Sequence, residues 1–233
     1  MKRIKGISLL EIHLKRVKKS KRITNFIVAT TDRDCDLPII EVARKAGFAF
    51  SRGSELDVLD RFYQAVKKDK PDYIVRVTSD CPLIDAELID KIIAFCVSNE
   101  LDYASNSMDP IFPDGQDVEV FKFFALEQAW KNATANSERE HVTPYIWKNS
   151  TFYGKDLFKS DNFSEADINF GHLRMTVDDQ ADFELVKQLI EKIGMDKTWY
   201  EYALLMESDV ALRSINSTTR RNEGYIKSLS QDN

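Results

Sequence analysis

The sequence predicts an α/β fold, a mostly parallel sheet flanked by helices, on three observations. Short β-branched runs alternate with amphipathic helical stretches as far as Asp102. The connections between them are only a few residues long, as right-handed crossovers require. The strand-like runs are apolar inside and end in polar residues, the pattern of buried parallel strands with polar C-terminal mouths.

Leu9, Leu10, Leu14 and Val17 make an apolar stripe on a first helix from about Ser8 to Ser20. Ile23 to Ala29 reads as a buried strand ending in Thr30-Thr31-Asp32. Leu37 to Ala46 reads as a helix, with Pro38 in its first turn and Gly47 as its stop. Phe48-Ala49-Phe50 is a brief strand; Arg52-Gly53-Ser54 comes next, then a helix through Val58, Phe62 and Val66. Asp72 to Thr78 is the clearest strand, followed by the loop Ser79-Asp80-Cys81-Pro82 and a helix from Ala86 to Val97.

After Tyr103 the rhythm changes. Asp117 to Phe121 alternates as an edge or antiparallel strand should. Helices are expected near Phe124–Trp130, Glu138–Trp147 and Asp182–Ile193, and strands at Thr151–Lys155 and Leu173–Val177. A helical, then polar, tail runs from Asp196. No linker or repeat divides the 233 residues, so one domain is expected.

Composition bounds the function. Net charge is −5, which argues against general affinity for nucleic acid or an anionic membrane. The basic run from Lys2 to Arg22, opposed only by Glu11, has apolar residues at helical spacing and reads as the solvated side of a surface helix. Three cysteines without CxxC spacing read as free thiols in a reducing compartment. With Met1 leading straight into charged residues and no long apolar run, a cytoplasmic protein is expected.

Ligands of open parallel sheets bind at the C-terminal strand ends, and three such mouths carry chemistry. Asp80 follows the strand Tyr73–Val77; it suits a hard cation such as Mg²⁺, and equally a helix cap. Asp178-Asp179 follows Leu173–Val177; Asp179 suits a cap, leaving Asp178 for the cleft, where it and Asp80 could share a metal facing a triphosphate. Arg52-Gly53-Ser54 suits phosphate or base recognition. Cys81 lacks an activating base and reads as a packing residue, His13 as structural, and His172 as either structural or functional.

Several segments together resemble cytidylyltransferases of the spore-coat polysaccharide type, relatives of the enzymes that activate 3-deoxy-octulosonate and acylneuraminate sugars. They are VATT at 28–31, FSRGSELDVLDRFYQAV at 50–66, IVRVTSDCPLID at 74–85, FPDGQDVEVF at 112–121, SEREHVTPYIWKN at 137–149, LRMTVDDQADFELV at 173–186 and RNEGYIKSL at 221–229. The resemblance implies a glycosyltransferase-A-like three-layer fold and formation of a CMP-sugar and pyrophosphate from CTP and a sugar acid. It implies Mg²⁺ on Asp80 and Asp178, nucleotide contacts from Arg52, Ser54 and Asp80, and an acceptor side of Asp117, Glu119, Arg139, His141 and Arg174. His141 reads as a packing residue or a candidate proton acceptor. A homodimer is expected by the same analogy.

The family normally opens with an apolar strand and a Gly- and Arg-containing phosphate loop. Here KRIKGISLLEIHLKRV resembles the segment immediately after that loop, so the first strand is expected to be missing from the sheet. Two alternatives to turnover by this chain stay open on that ground: a non-catalytic nucleotide- or sugar-binding paralogue, and a glycosyltransferase of the same fold.

Overall fold

A computed structural model describes residues 2–219 and 221–232. The chain opens with a small hairpin, β1 (Arg3–Ile4) and β2 (Ile7–Ser8), leading into α1 (Leu9–Val17). Ser8 caps α1 through Glu11 N–H, while the Glu11 side chain accepts from Ser8 N–H, so two orphan amides of the first turn are satisfied reciprocally. Next come β3 (Ile27–Thr31), α2 (Leu37–Ala46), β4 (Ala49–Gly53), α3 (Val58–Val66), β5 (Tyr73–Arg76) and α4 (Ala86–Ser98). Gly47 ends α2 with φ 76°, a left-handed cap that suits glycine. From α1 onward helix and strand types in this half are as expected, while the opening hairpin is not among the expected elements. The first helix ends at Val17, before the Lys18–Arg22 run, and the first strand lies later than its apolar run, over Ile27–Thr31.

The second half comprises β6 (Tyr103–Ser105), β7 (Glu119–Lys122), α5 (Phe123–Asn132), α6 (Asn136–His141), α7 (Pro144–Lys148), β8 (Ser160–Asn162) and α8 (Gln180–Ile193). It closes with α9 (Trp199–Ser208), α10 (Val210–Ser214) and α11 (Glu223–Leu229). The expected helix Glu138–Trp147 is two helices, because Val142 adopts φ 73° and Pro144 cannot donate a hydrogen bond to the preceding turn. Residues 151–153 form a 3₁₀ turn, not a strand; the strand of this region is β8, whose polar sequence Ser-Asp-Asn carries no strand signal. Residues 173–177 are extended but pair with loops through single bonds, including the bridge Asp114–Arg174.

Helices flank the sheets as expected, but the main sheet is mixed, which corrects the mostly parallel expectation. Its order is β5-β7-β6-β8, with β7 antiparallel to both neighbours and β6 parallel to β8. The alternation in Asp117–Phe121 announces an antiparallel strand, yet β7 is central. The reason is that both of its faces are covered: Val120 joins the cluster built on α4 and α8, and Phe121 the cluster with α5 and Val142. A parallel pair, β3 and β4, stands apart, in register from Ile27–Ala49 to Thr31–Gly53.

Among the described residues β3 pairs only with β4, and β5 only with β7. Both strands line one apolar groove of about 650 Å³, with Leu10 and Leu14 of α1 and Val58 and Phe62 of α3 completing its walls. Between β3 and β5 the sheet is therefore interrupted. No helix among the described residues is long and apolar enough to cross a membrane.

Candidate active site

The site grows from the loop after β5. Cys81 N–H closes a turn onto the Thr78 carbonyl at 3.2 Å, and the Asp80 carbonyl accepts from Val177 N–H at 2.8 Å and Thr176 Oγ1 at 3.2 Å. Residues 173–177 continue onto a second loop: Asp114 N–H donates to the Leu173 carbonyl, and Met175 N–H to the Asp114 carbonyl. Gly115 makes that approach feasible. A Cβ there would lie 2.6 Å from Thr176 N and 2.7 Å from Met175 C, and its φ is 99°. Three loops distant in sequence thus form one rim, carrying Asp80, Asp114, Asp117 and Asp178.

These residues line a cavity of about 430 Å³. Of the expected residues, Asp80, Asp117, Glu119, His141, Arg174 and Asp178 are brought together there. Asp80 also borders the β3–β5 groove, so it stands where the two cavities meet.

The other three expected residues lie elsewhere. The Arg52 guanidinium donates to the carbonyls of Thr31, Asp32 and Arg33, and the Ser54 hydroxyl accepts from Asp57 N–H. Arg52 is in the last residues of β4 and Ser54 follows the strand; neither lines either cavity. Arg139 grips Asp57 through Nε and Nη2 and donates to the Trp130 carbonyl, so it clamps α6 and α5 to the start of α3 and does not line the acceptor side. Partners within the protein take up donors of Arg52 and Arg139 and an acceptor position of Ser54.

The arginines in the cavity are consumed as well. Arg174, 8% exposed, donates to Asp114, Asp178 and Asp182, and Asp182 is fully buried. Burial alone would lower the Arg174 pKa, but hydrogen bonds to Asp182 and Asp178 hold it above its ordinary value. Burial pushes Asp182 up, but bonds from Arg174, Asn216 and the Asp178 amide outweigh it and leave its pKa lowered. Arg76 pairs with Glu119, its register partner across β5 and β7, and Glu119 also accepts from the Tyr103 and Thr143 hydroxyls. Arg221 pairs with Asp117. Each guanidinium here pairs with a carboxylate, and Arg76 Nε and Arg221 Nε are buried without a further partner among the described residues.

Burial, with Asp114 and Glu119 nearby, pushes Asp117 up to about 7 against the pull of Arg221. Burial also raises Asp114, opposed by Arg221 and Arg174. His141 is lowered by burial, and its Nε2 meets Ser228 Oγ at 3.0 Å. Cys81 is buried, with its thiol pKa raised well above normal by burial and by Asp80, which suits packing and not nucleophilic attack. His13 is buried with Nδ1 2.9 Å from the Cys81 carbonyl, and His172 lies on the surface against Glu207.

Sequence reasoning missed four contributors. Arg76 was legible in principle, as a charge inside an apolar buried strand. Arg61 lines the β3–β5 groove with its Nε buried and without a partner among the described residues. Tyr225 and Arg221 lie in the RNEGYIKSL stretch that carries part of the resemblance, but the place of Tyr225 in the cavity wall and of Arg221 on Asp117 is set by long-range folding.

A family model described as cytidylyltransferase matches residues 1–210. The chain belongs to the cytidylyltransferase family. It is therefore a nucleotidyltransferase, on the fold that the family resemblance implied. It is 38% identical over 214 residues to an uncharacterized protein of Methanocaldococcus jannaschii, covering 91% of this chain and 85% of that one. It is 31% identical over 190 residues to the spore coat polysaccharide biosynthesis protein SpsF of Bacillus subtilis, covering 80% and 77%. The solved structure of a cytidylyltransferase from Leptospira borgpetersenii superposes with a TM-score of 0.84 at 28% identity, covering 94% and 90%.

Proposed function

We propose that this cytidylyltransferase joins the CMP part of CTP to a hydroxyl of a small sugar, releasing pyrophosphate, in the biosynthesis of a polysaccharide. The observation that carries the reading is the place of Asp80 at the junction of two cavities, with Asp178 bordering one of them through the bond between Val177 and the Asp80 carbonyl. In this reading the nucleotide lies on the groove side, near Thr30, Thr31, Arg61 and Ser79, and the acceptor in the cavity of Glu119 and His141.

The acidic pair fits a hard divalent cation. Asp80 has no cationic partner among the described residues, and Asp178 is 59% exposed with one carboxylate oxygen on Arg174. Mg²⁺ takes one or two carboxylates and completes its shell with phosphate oxygens and water. Bound by Asp80 and Asp178, Mg²⁺ would supply neutralising charge to the phosphates.

The attacking oxygen forms its bond to the α-phosphorus as the bond to the pyrophosphate oxygen breaks. The protein's part is chiefly to position the two reactants and stabilise charge. His141, kept neutral by burial, is a proton acceptor of suitable type on the acceptor side.

Incubation with Mg²⁺ and CTP over a sugar panel, with a parallel UDP-sugar panel, tests the reading. Pyrophosphate and a CMP-sugar are expected from CTP alone, and Asp80→Asn and Asp178→Asn should abolish them. Release of UDP from the second panel, or full activity in either variant, would overturn the assignment.

A further inference from the structure

Arg61 stands apart from the arginines of the acceptor side. Arg76, Arg174 and Arg221 each grip a carboxylate, whereas Arg61 makes no ion pair among the described residues. Its side chain leaves α3 across the end of β4, where Gly53 makes room: a Cβ there would lie 3.2 Å from Arg61 Cγ and 3.5 Å from its Cα. Nη1 then donates to the Ser54 carbonyl at 2.6 Å. That bond holds the head group in the wall of the β3–β5 groove. Nε and Nη2 are left without hydrogen bonds among the described residues, and Nε is buried. A buried donor with no acceptor is unfavourable, which points to a ligand as its partner.

One acid belongs to the same part of the groove. Asp36 closes the 3₁₀ turn that follows β3, and its Oδ2 accepts from the hydroxyl of Thr31, the last residue of that strand. Thr31, Asp36 and Arg61 all line the groove. Burial lowers the Arg61 pKa, and Asp36, with Glu55, pulls it the other way, so Asp36 is close enough to act on the guanidinium. Glu55 is taken by Arg33, and Asp36 forms no ion pair with Arg61. The groove therefore offers two neighbouring donors and, apart from them, an acceptor.

We propose that Arg61 and Asp36 read the base of the nucleotide, Arg61 donating to O2 and N3 of cytosine and Asp36 accepting from its 4-amino group. The assignment rests on the groove as the nucleotide side of the transfer reading, and it gives base recognition to residues other than Arg52 and Ser54. The match is one of pattern. Cytosine presents two neighbouring acceptors and then a donor along its pairing edge. Uracil presents acceptor, donor, acceptor, so its N3–H would meet a guanidinium donor and its O4 a carboxylate. Adenine has the amino group and N1, but a C–H where cytosine has O2. A phosphate fits this pair less well than a base, because it would set its charge against Asp36. In this reading the phosphates lie toward Asp80, beyond the end of β5, and Val58 and Phe62 in the groove wall suit the face of a flat ring.

Isothermal titration of the full chain with CTP, UTP and ATP, each with MgCl₂, tests the assignment. CTP should bind on the order of a hundredfold more tightly than UTP, because two hydrogen-bond positions are mismatched in the second, and more tightly than ATP. Asp36→Asn, whose amide can turn its NH₂ toward uracil O4, should cut the CTP-to-UTP ratio at least about tenfold. Arg61→Met should cut it too, chiefly by weakening CTP. A merely structural Arg61 would weaken all three nucleotides alike and leave the ratio where it was; Asp36→Asn carries the test if the arginine variant does not fold. Equal binding of CTP and UTP by the parent chain, tighter binding of ATP, or an unchanged ratio in Asp36→Asn overturns the proposal and leaves the transferase reading standing. Binding of no nucleotide by the parent chain overturns the groove as nucleotide site, and base reading with it.

Discussion

Replacing Arg174 by Met removes one guanidinium from three carboxylates and should unfold the protein early. Arg174 is 8% exposed, and of its partners Asp182 is fully buried and Asp114 nearly so. Asp182 would keep Asn216 and backbone amides as donors but lose its one cationic partner among the described residues. Breaking a buried pair from one side costs about 3–5 kcal/mol. At roughly 2–4 °C per kcal/mol for a chain of this size, the melting temperature should fall by about 6–20 °C. Arg174→Lys should recover little of this, since a single ammonium cannot bridge three carboxylates in the geometry of a guanidinium. Asp182, whose folded pKa is lowered, contributes stability present above its unfolded value, about 4, and lost as pH falls through the folded one. The gap between variant and parent should therefore narrow in acid, where Asp182 can be neutral. Differential scanning fluorimetry from about pH 2 to 8, with acceptor KM measured alongside near neutrality, reads both. A melting temperature within about 2 °C of the parent, together with lost acceptor binding, would refute the reasoning and make Arg174 a ligand contact.

Three other perturbations separate structural from functional roles. Arg139→Met breaks the grip on Asp57 and should cost about 1–2 kcal/mol, seen in urea unfolding, while leaving KM for CTP and acceptor unchanged; a selective rise in acceptor KM would restore Arg139 to the site. Asp117, raised by burial to about 7, should become anionic near neutrality, so acceptor KM should shift as pH passes through about 7 and the shift should vanish in Asp117→Asn; an unchanged pH profile in that variant would remove Asp117 from the acceptor side. Because the native state holds that proton above the unfolded value of about 4, this group's contribution to stability falls as pH rises between about 4 and 7. The apolar groove between β3 and β5 should bind anilinonaphthalenesulfonate, and Val28→Glu should weaken the dye signal with unchanged far-ultraviolet circular dichroism; undiminished fluorescence would place the dye elsewhere.

Local pattern was enough for the individual elements of the first half. Pro38 and Gly47 bracket α2, and Val58, Phe62 and Val66 mark α3, because capping and one-sided burial act over a few residues. It also singled out Asp80 and Asp178, which each follow an apolar run and line one cavity, although residues 173–177 form no strand. The central place of β7 and the strand β8 were decided by tertiary contact: the cover on the second face of Glu119–Lys122, and the strand edge that Ser160–Asn162 finds, depend on chain far away. The same holds for charge. The sequence shows how many arginines there are but not which carboxylates reach them first, and only folding committed Arg174, Arg76, Arg139 and Arg221 to partners inside the protein. Coulombic and hydrogen-bonding preferences are satisfied by distance in space, which separation along the chain does not encode.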